Sequence, residues 1–137
     1  MEKFYQLIIV GGGPAGLSAG IYAARSRLHT LLIEKAGLGG RILNAEIVEN
    51  YPGFPQGVSG AELGSLMAQQ AEKQGLAAAM AEVQGLRIQG KEKILDTSEG
   101  QYRAQAVIIA GGSEHSKLEV NGEEEFLGRG VSYCAMC

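Results

Sequence analysis

The two cysteines of the chain stand close together, in the order Cys134-Ala135-Met136-Cys137. A zinc site needs about four ligands. The chain has only two cysteines and two distant histidines, so a zinc site would need ligands from another chain and no metal is expected. A structural disulfide that closes so short a loop adds little stability. The spacing therefore favours a redox-active dithiol, which works by thiolate attack through a mixed disulfide.

A second motif, Gly11-Gly12-Gly13-Pro14-Ala15-Gly16, has the spacing G-x-G-x-x-G. The apolar run Leu7-Ile8-Ile9-Val10 precedes it and has the character of a β-strand. A segment of helical character follows, from Pro14 to about Arg27. Strand, tight turn and helix form the context in which this motif indicates a dinucleotide site.

Each residue type in this motif has a physical role. Gly11 permits the sharp turn, Gly13 lets the backbone approach a pyrophosphate, and Gly16 lets the helix lie close on the strand. Pro14 suits the first helical turn, because a backbone N–H at that position would have no intrahelical partner. The free N–H groups around Ala15 and the positive end of the helix dipole then face the phosphates.

An acidic residue lies where a dinucleotide fold places its ribose contact. The second apolar run, Leu31-Leu32-Ile33, ends at Glu34, which is 18 residues beyond Gly16. A carboxylate at this point accepts hydrogen bonds from ribose hydroxyls and repels a 2′-phosphate. The site is therefore expected to hold FAD or NAD rather than NADP.

The segment after Glu34 is rich in glycine. Lys35 to Arg41 contains Gly37, Gly39 and Gly40, a composition that disfavours a stable helix or strand. Such a loop suits close contact with a flat ligand, or it is a flexible connector. Further along, Asn50 either contributes to a cofactor site or caps a turn, which is the commoner use of asparagine.

The last strong strand signal is the continuous apolar run Ala106-Val107-Ile108-Ile109-Ala110. It is typical of a parallel strand that is buried on both faces. Gly111 and Gly112 follow it directly. Ligands of open α/β sheets bind beyond the carboxyl ends of the strands. The glycine motif, Glu34 and the segment Ala110–Gly112 are therefore expected to meet at one crevice.

The remaining elements complete a fold prediction. Ser59 is the expected N-cap of a helix that runs to about Gln74. Three short antiparallel strands are expected around Val83 to Ile88, Lys93 to Thr97 and Gln101 to Arg103. The predicted fold class is α/β, a Rossmann-like three-layer dinucleotide-binding domain with a parallel sheet and a small antiparallel β insertion.

Length and composition set further bounds. A chain of 137 residues suggests one domain. The net charge of −3 gives no electrostatic reason to expect nucleic acid as a partner. No apolar run approaches the ~20 residues that cross a bilayer, and the N-terminus lacks the features of a secretory signal. The expected location is the cytoplasm, with no membrane partner.

Taken together, the motifs resemble the N-terminal part of low-molecular-weight thioredoxin reductases, which are flavoprotein pyridine nucleotide–disulfide oxidoreductases. The resemblance runs from about Leu7 to Cys137. The matching pieces are Gly-Gly-Gly-Pro-Ala-Gly (11–16), Ile-Tyr-Ala-Ala-Arg (21–25), Gly-Gly (39–40), Val-Glu-Asn-Tyr-Pro-Gly (48–53), Val-Ile-Ile-Ala (107–110) and Gly-Arg-Gly-Val-Ser-Tyr-Cys-Ala-Met-Cys (128–137).

The resemblance implies FAD as the cofactor. It places the isoalloxazine near Gly39, Gly40 and Asn50, and the adenine near the backbone of Val83. It also implies that Cys134 and Cys137 form a disulfide that the flavin reduces and that then acts on a thioredoxin-type protein. In a full-length enzyme the electrons come from NADPH, and the assembly is a homodimer.

The chain departs from the family pattern at several points. Arg41 stands where the family usually has Gln, Gly111 where it has Thr, and Met136 where Thr is common. The family continues with an NADPH domain and a return segment that finishes the FAD domain. The expectation is therefore an FAD domain over residues 1–113, incomplete at the C-terminus, and a connector over 114–137 that ends in the redox motif and starts a missing NADPH domain.

Two functions follow from this expectation. The first is a fragment of a thioredoxin-reductase-like enzyme that cannot use NADPH by itself, with a ferredoxin-dependent or peroxide-linked relative of the same family as a variant of it. The alternative is a non-catalytic FAD-binding fragment, or one half of a split flavoenzyme.

Overall fold

The structure, a computed structural model, describes residues 4–133. Cys134 and Cys137 lie outside the described residues. The helices and strands, in chain order, are β1 (Phe4–Val10), α1 (Pro14–Arg25), β2 (Thr30–Glu34), a 3₁₀ helix (Gly40–Asn44), α2 (Gly60–Lys73), β3 (Ala77–Met80), β4 (Val83–Gln89), β5 (Glu92–Thr97) and β6 (Gly100–Ile109). Within the described part of the chain, no helix is long and apolar enough to cross a bilayer.

Six strands of the described region form one sheet, in the order β3-β2-β1-β6-β5-β4. Strands β3, β2, β1 and β6 run parallel to one another, whereas β5 pairs antiparallel with both β6 and β4. Helix α1 connects the parallel neighbours β1 and β2, as expected for a βαβ unit. The predicted α/β fold class is confirmed.

The apolar residues of β1 alternate between two cores, because successive side chains of a strand point to opposite faces. Leu7 and Ile9 pack with Leu17 of α1 and Leu63 of α2 on the helical face. Ile8 belongs to a second cluster on the other face. That cluster also contains Leu31, Ile33, Ala81, Leu95, Tyr102 and Ala104. Leu95 of β5 and Tyr102 of β6 therefore share this second core with residues of the parallel strands β1 and β2.

Strand β6 joins the two parts of the sheet. The sequence predicts two strands here, Gln101–Arg103 and Ala106–Ala110, and that detail is wrong, since Gly100–Ile109 is one strand of 10 residues. Its first half pairs antiparallel with β5, from Thr97↔Gly100 to Lys93↔Ala104. It also pairs parallel with β1 from Arg103 onwards. The antiparallel strands are thus an extension of the parallel sheet.

The second half of β6 is more exposed than its apolar sequence predicts. Ile108 is 40% exposed and Ile109 is 72% exposed, so the prediction of burial on both faces is wrong. The reason is that among residues 4–133 the pairs with β5 end at Ala104. Beyond that point the only strand partner of β6 in this region is β1.

The turn between β1 and α1 depends on a close backbone approach. Gly11 has φ +108°, and a Cβ on it would lie 2.2 Å from the carbonyl oxygen of Ala110. A Cβ on Gly16, in the first turn of α1, would lie 1.8 Å from the carbonyl oxygen of Gly11. The helix can therefore sit on the end of β1 only because Gly16 has no side chain.

Substitution of Gly16 tests this approach. Alanine in a helix is favoured over glycine by about 1 kcal/mol, but the clash with a backbone oxygen has no easy relaxation. We expect Gly16→Ala to lower the free energy of unfolding by at least about 2 kcal/mol, as measured by urea denaturation.

Gly13→Ala is the matched control, three residues away in the same motif. A Cβ on Gly13 would meet only the Cα of Gly40, at 3.8 Å. Its cost is expected to be less than about 1 kcal/mol, from the poorer N-cap. Equal stability of Gly16→Ala and the unsubstituted chain would contradict the role given to Gly16.

Candidate functional site

The cavity beyond the carboxyl ends of β1, β2 and β6 measures about 920 Å³, a volume within the usual size range of ligand-binding pockets. Three segments meet there: the glycine turn after β1, the loop after β2 with the 3₁₀ helix, and the segment after β6. The lining residues are Gly11, Gly13, Pro14, Ala15, Glu34, Lys35, Ala36, Gly37, Gly40, Arg41, Ile42, Leu43, Asn44, Ile109, Ala110, Gly111, Gly112, Ser113 and Glu114.

The floor of the crevice is backbone rather than side chain. The Cβ that Gly40 lacks would lie 2.8 Å from the Cα of Gly13, so the two loops touch through their main chains. Nothing lies within 4 Å of the Cβ position of Gly111 or of Gly112. A ligand can therefore approach the backbone at these points without meeting a side chain.

The N-terminus of α1 opens into this crevice. Its N-cap is Gly13, which has no side chain to accept a hydrogen bond from the first turn, and Pro14 follows it. The first turn of α1 carries no acidic residue. The positive end of the helix dipole therefore has no acidic partner within α1 itself, and it favours an anionic group in the crevice.

Glu34, at the end of β2, holds two loops together. Its Oε2 accepts a hydrogen bond from the N–H of Gly12 at 2.6 Å, and its Oε1 accepts one from the N–H of Ala36 at 2.9 Å. Burial acts to raise the pKa of Glu34, but the backbone hydrogen bonds from Ala36, Gly12, Lys35 and Gly37 together outweigh it and lower that pKa. Glu34 is therefore a fixed anionic acceptor on the wall of the crevice.

Side chains connect the loops on either side of the crevice. Lys35 Nζ donates to Glu114 Oε1 at 2.9 Å, and this contact raises the pKa of Lys35 and lowers that of Glu114. Arg41 Nη1 donates to Ser113 Oγ at 2.9 Å. Because these side chains are exposed, their contacts contribute little to stability, but they link the loop after β2 to the segment after β6.

Four of the predicted site residues do not line this crevice. Gly16 lies behind the turn, against Gly11. Gly39 is the buried N-cap of the 3₁₀ helix, with φ +119°. Asn50 is exposed between the 3₁₀ helix and α2, and Val83 is the first residue of β4. The predicted catalytic residues Cys134 and Cys137 lie outside the described residues.

A second cavity of about 450 Å³ adjoins the first. It shares Lys35 and Ala36 with the crevice and extends along the start of the antiparallel strands. Its other lining residues are Met80, Ala81, Glu82, Ser98 and Glu99. Val83 directly follows this group in the chain, so the region predicted for the Val83 contact is open to a ligand that extends from the crevice.

Sequence reasoning missed several residues of the site. Ile42, Leu43 and Asn44 line the crevice from the 3₁₀ helix, where the glycine-rich sequence predicts irregular backbone. His115 has no role in the sequence prediction, because no cysteine or histidine stands nearby to share a metal with it. In the structure its partner is Arg41. Within residues 4–133, no group of three or more His, Cys, Asp or Glu side chains could hold a metal ion.

Comparison with known proteins gives a consistent result. The family model of the pyridine nucleotide-disulphide oxidoreductases matches residues 5–137. The thioredoxin reductase of Bacillus subtilis (strain 168) is 47% identical over 137 residues, which is 99% of this chain and 43% of that protein. The chain therefore spans less than half the length of the curated relatives it matches.

Solved structures show the same likeness. Thioredoxin reductase from Lactococcus lactis, in the FR conformation, superposes with a TM-score of 0.85 at 43% identity and covers 97% of this chain and 44% of that one. Thioredoxin reductase from Streptococcus pyogenes MGAS5005 superposes with a TM-score of 0.87 at 41% identity and covers 100% of this chain and 44% of that one.

The hydrogen bonds of Glu34 predict a pH-dependent contribution to stability. In Glu34→Gln, the amide group turns an N–H donor toward one of the backbone N–H groups. We expect this to lower the free energy of unfolding at neutral pH by about 1–3 kcal/mol. Because folding lowers the pKa of Glu34, its contribution is complete above the ordinary glutamate pKa and is lost as the pH falls through the folded value.

Urea denaturation at pH 7 and at about pH 3 measures this effect. The difference between Glu34→Gln and the unsubstituted chain should be large at neutral pH and should shrink in acid. Glu125→Gln, at an exposed glutamate outside the crevice, is the control and should change neither value. A difference for Glu34→Gln that is independent of pH would contradict the assignment.

Proposed function

The chain belongs to the pyridine nucleotide-disulphide oxidoreductase family, and we propose that it is the FAD-binding part of a thioredoxin-reductase-like enzyme. In this proposal, residues 1–113 form the FAD-binding segment and 114–137 form a connector that carries the redox-active cysteines. The observation that carries the proposal is the crevice, which joins a glycine turn, a helix N-terminus and a fixed carboxylate, in a chain of this family.

The proposal gives each part of FAD its own place along the crevice. The pyrophosphate would lie against Gly11, Gly13 and the first turn of α1, where the backbone is bare and the helix dipole is positive. Glu34 would accept hydrogen bonds from ribose hydroxyls, because each carboxylate oxygen has a second acceptor position beside its backbone contact. The adenine would extend past Lys35 into the second cavity, next to Val83.

The reactive ring of the cofactor would lie at the other end of the crevice. In the proposal, the ring lies near Gly39, Gly40, Arg41 and Asn50. The bare backbone of Ala110 to Gly112 lies on the opposite side of the ring. Bound FAD supplies a group that takes up and returns two electrons and two protons. The protein's task is to hold that group where the cysteine pair can react with it.

The chemistry of the cysteines then follows in two stages. In the first, the Cys134–Cys137 bond would break and two thiols would form, for which bound FAD would supply the two electrons and two protons. In the second, one cysteine thiolate attacks the disulfide of a thioredoxin-type protein and releases one of its thiols. The other cysteine attacks this mixed disulfide, re-forms the Cys134–Cys137 bond and releases the second thiol.

The proposal for the whole protein includes partners beyond this chain. NADPH is the proposed electron source, a thioredoxin-type protein is the proposed acceptor, and a homodimer in the cytoplasm is the proposed assembly. The names of the matched relatives support the acceptor, since they are thioredoxin reductases.

Retention of FAD tests the proposal directly. The purified chain is mixed with FAD, desalted, and its visible absorption recorded. We expect flavin bands to remain with the protein. Gly13→Ala should weaken FAD binding by at least roughly tenfold, because its Cβ enters the space needed by the pyrophosphate.

Gly75→Ala is the control for this measurement, since that glycine follows α2 and does not line the crevice. Its positive φ of +92° makes some loss of stability expected, but FAD binding should not change. A folded chain that releases all its FAD on desalting would contradict the proposal.

A further inference from the structure

A series of side-chain contacts leads from the crevice to the residue that directly precedes the cysteine motif. Arg41 Nη2 lies 2.7 Å from His115 Nε2. The ring of His115 stacks on the ring of Tyr133, with centroids 4.9 Å apart and planes inclined by 14°. Tyr133 is the residue directly before Cys134 in the sequence. Three side chains thus connect the wall of the crevice to the segment that bears the cysteines.

We infer that Arg41 and His115 are positioning residues, which hold Tyr133 and so fix where the cysteine motif starts relative to the crevice. The inference rests on the proposed function, because it concerns the approach of the cysteines to the cofactor. Arg41 belongs to the crevice wall, whereas His115 is outside it. His115 therefore acts only through its neighbours.

The chemistry of the contact explains why histidine is suited to this position. An arginine guanidinium only donates hydrogen bonds, so Nε2 of His115 is the acceptor in this contact. The same ring presents its flat face to Tyr133. Phenylalanine has a flat ring but no hydrogen-bond acceptor, and glutamine has an acceptor but no flat ring. Each replacement therefore breaks one of the two contacts.

The loop that carries His115 is itself held at the crevice. Arg41 also donates to Ser113 at 2.9 Å, and Glu114 pairs with Lys35 at 2.9 Å. The three consecutive residues 113–115 thus all contact the loop after β2. Tyr133 is half-buried, in agreement with a ring seated against this loop.

The first experiment measures the position of the segment without any cofactor. In a Cys137→Ser background, Cys134 carries a small thiol-reactive fluorophore, and its steady-state anisotropy is recorded. We expect the anisotropy to fall in His115→Phe and in His115→Gln, because either change releases the segment. Anisotropy that is equal in the parent and in both variants overturns the inference.

The matched control is His29→Phe. The ring of His29 stacks on Tyr5, with centroids 4.6 Å apart, at the end of the sheet away from the crevice. This variant also replaces an exposed histidine that stacks on a tyrosine. It should leave the anisotropy of the Cys134 label unchanged, and a fall as large as that of His115→Phe would overturn the inference.

The second experiment asks whether the position matters for electron transfer. The chain with both cysteines is loaded with FAD and treated with dithiothreitol, which reduces the cysteine pair. The two thiols then lose two electrons and two protons to FAD, re-form their S–S bond, and bleach the flavin absorption. We expect His115→Phe and His115→Gln to slow bleaching by roughly tenfold or more, with the Kd for FAD changed by less than about twofold.

The two experiments separate the inference from the proposed function. A chain that fails to retain FAD contradicts the proposed function, whereas the anisotropy still decides whether His115 holds the segment. Unchanged bleaching in both His115 variants, with FAD bound, overturns the positioning role. A parallel loss of rate and of FAD affinity also overturns it, because it would make His115 part of the binding site.

Discussion

The approach of Gly16 to the carbonyl oxygen of Gly11 is the constraint on which the site depends. With 1.8 Å between that oxygen and the position of an absent Cβ, the first turn of α1 lies directly on the end of β1. This contact aims the N-terminus of the helix along the edge of the sheet. It also places Gly12 where its N–H can reach the carboxylate of Glu34 on the neighbouring strand.

The local parts of this arrangement could be predicted from the sequence. The glycine turn, the helix that follows it and the acid at the end of β2 depend on residue types within one βαβ unit, and the structure has them as predicted. Strand β3 could not be predicted, because Ala77–Met80 has little intrinsic preference for a strand. It becomes one by pairing with β2.

Contacts between distant residues account for the other differences. A continuous β6 requires β1 on one side and β5 on the other. The residue types in each half of the strand indicate only the local environment of that half, so they do not predict one continuous strand. The pairing of Arg41 with His115 joins residues 74 positions apart. Neither residue carries a motif that marks the other, so the crevice wall and its link to the cysteine segment emerge only from the folded chain.

The continuity of β6 has a consequence for the order in which the chain folds. Its pairing with β5 closes a tight hairpin at Thr97↔Gly100, which is a local event on the scale of microseconds. Its pairing with β1 joins Phe4 to Arg103, and closing so long a loop costs on the order of 4 kcal/mol in chain entropy. We therefore expect the antiparallel strands to form first, so that β6 already presents an edge onto which β1 and α1 can dock. The crevice needs the ends of β1, β2 and β6, so we expect it to be among the last features to form.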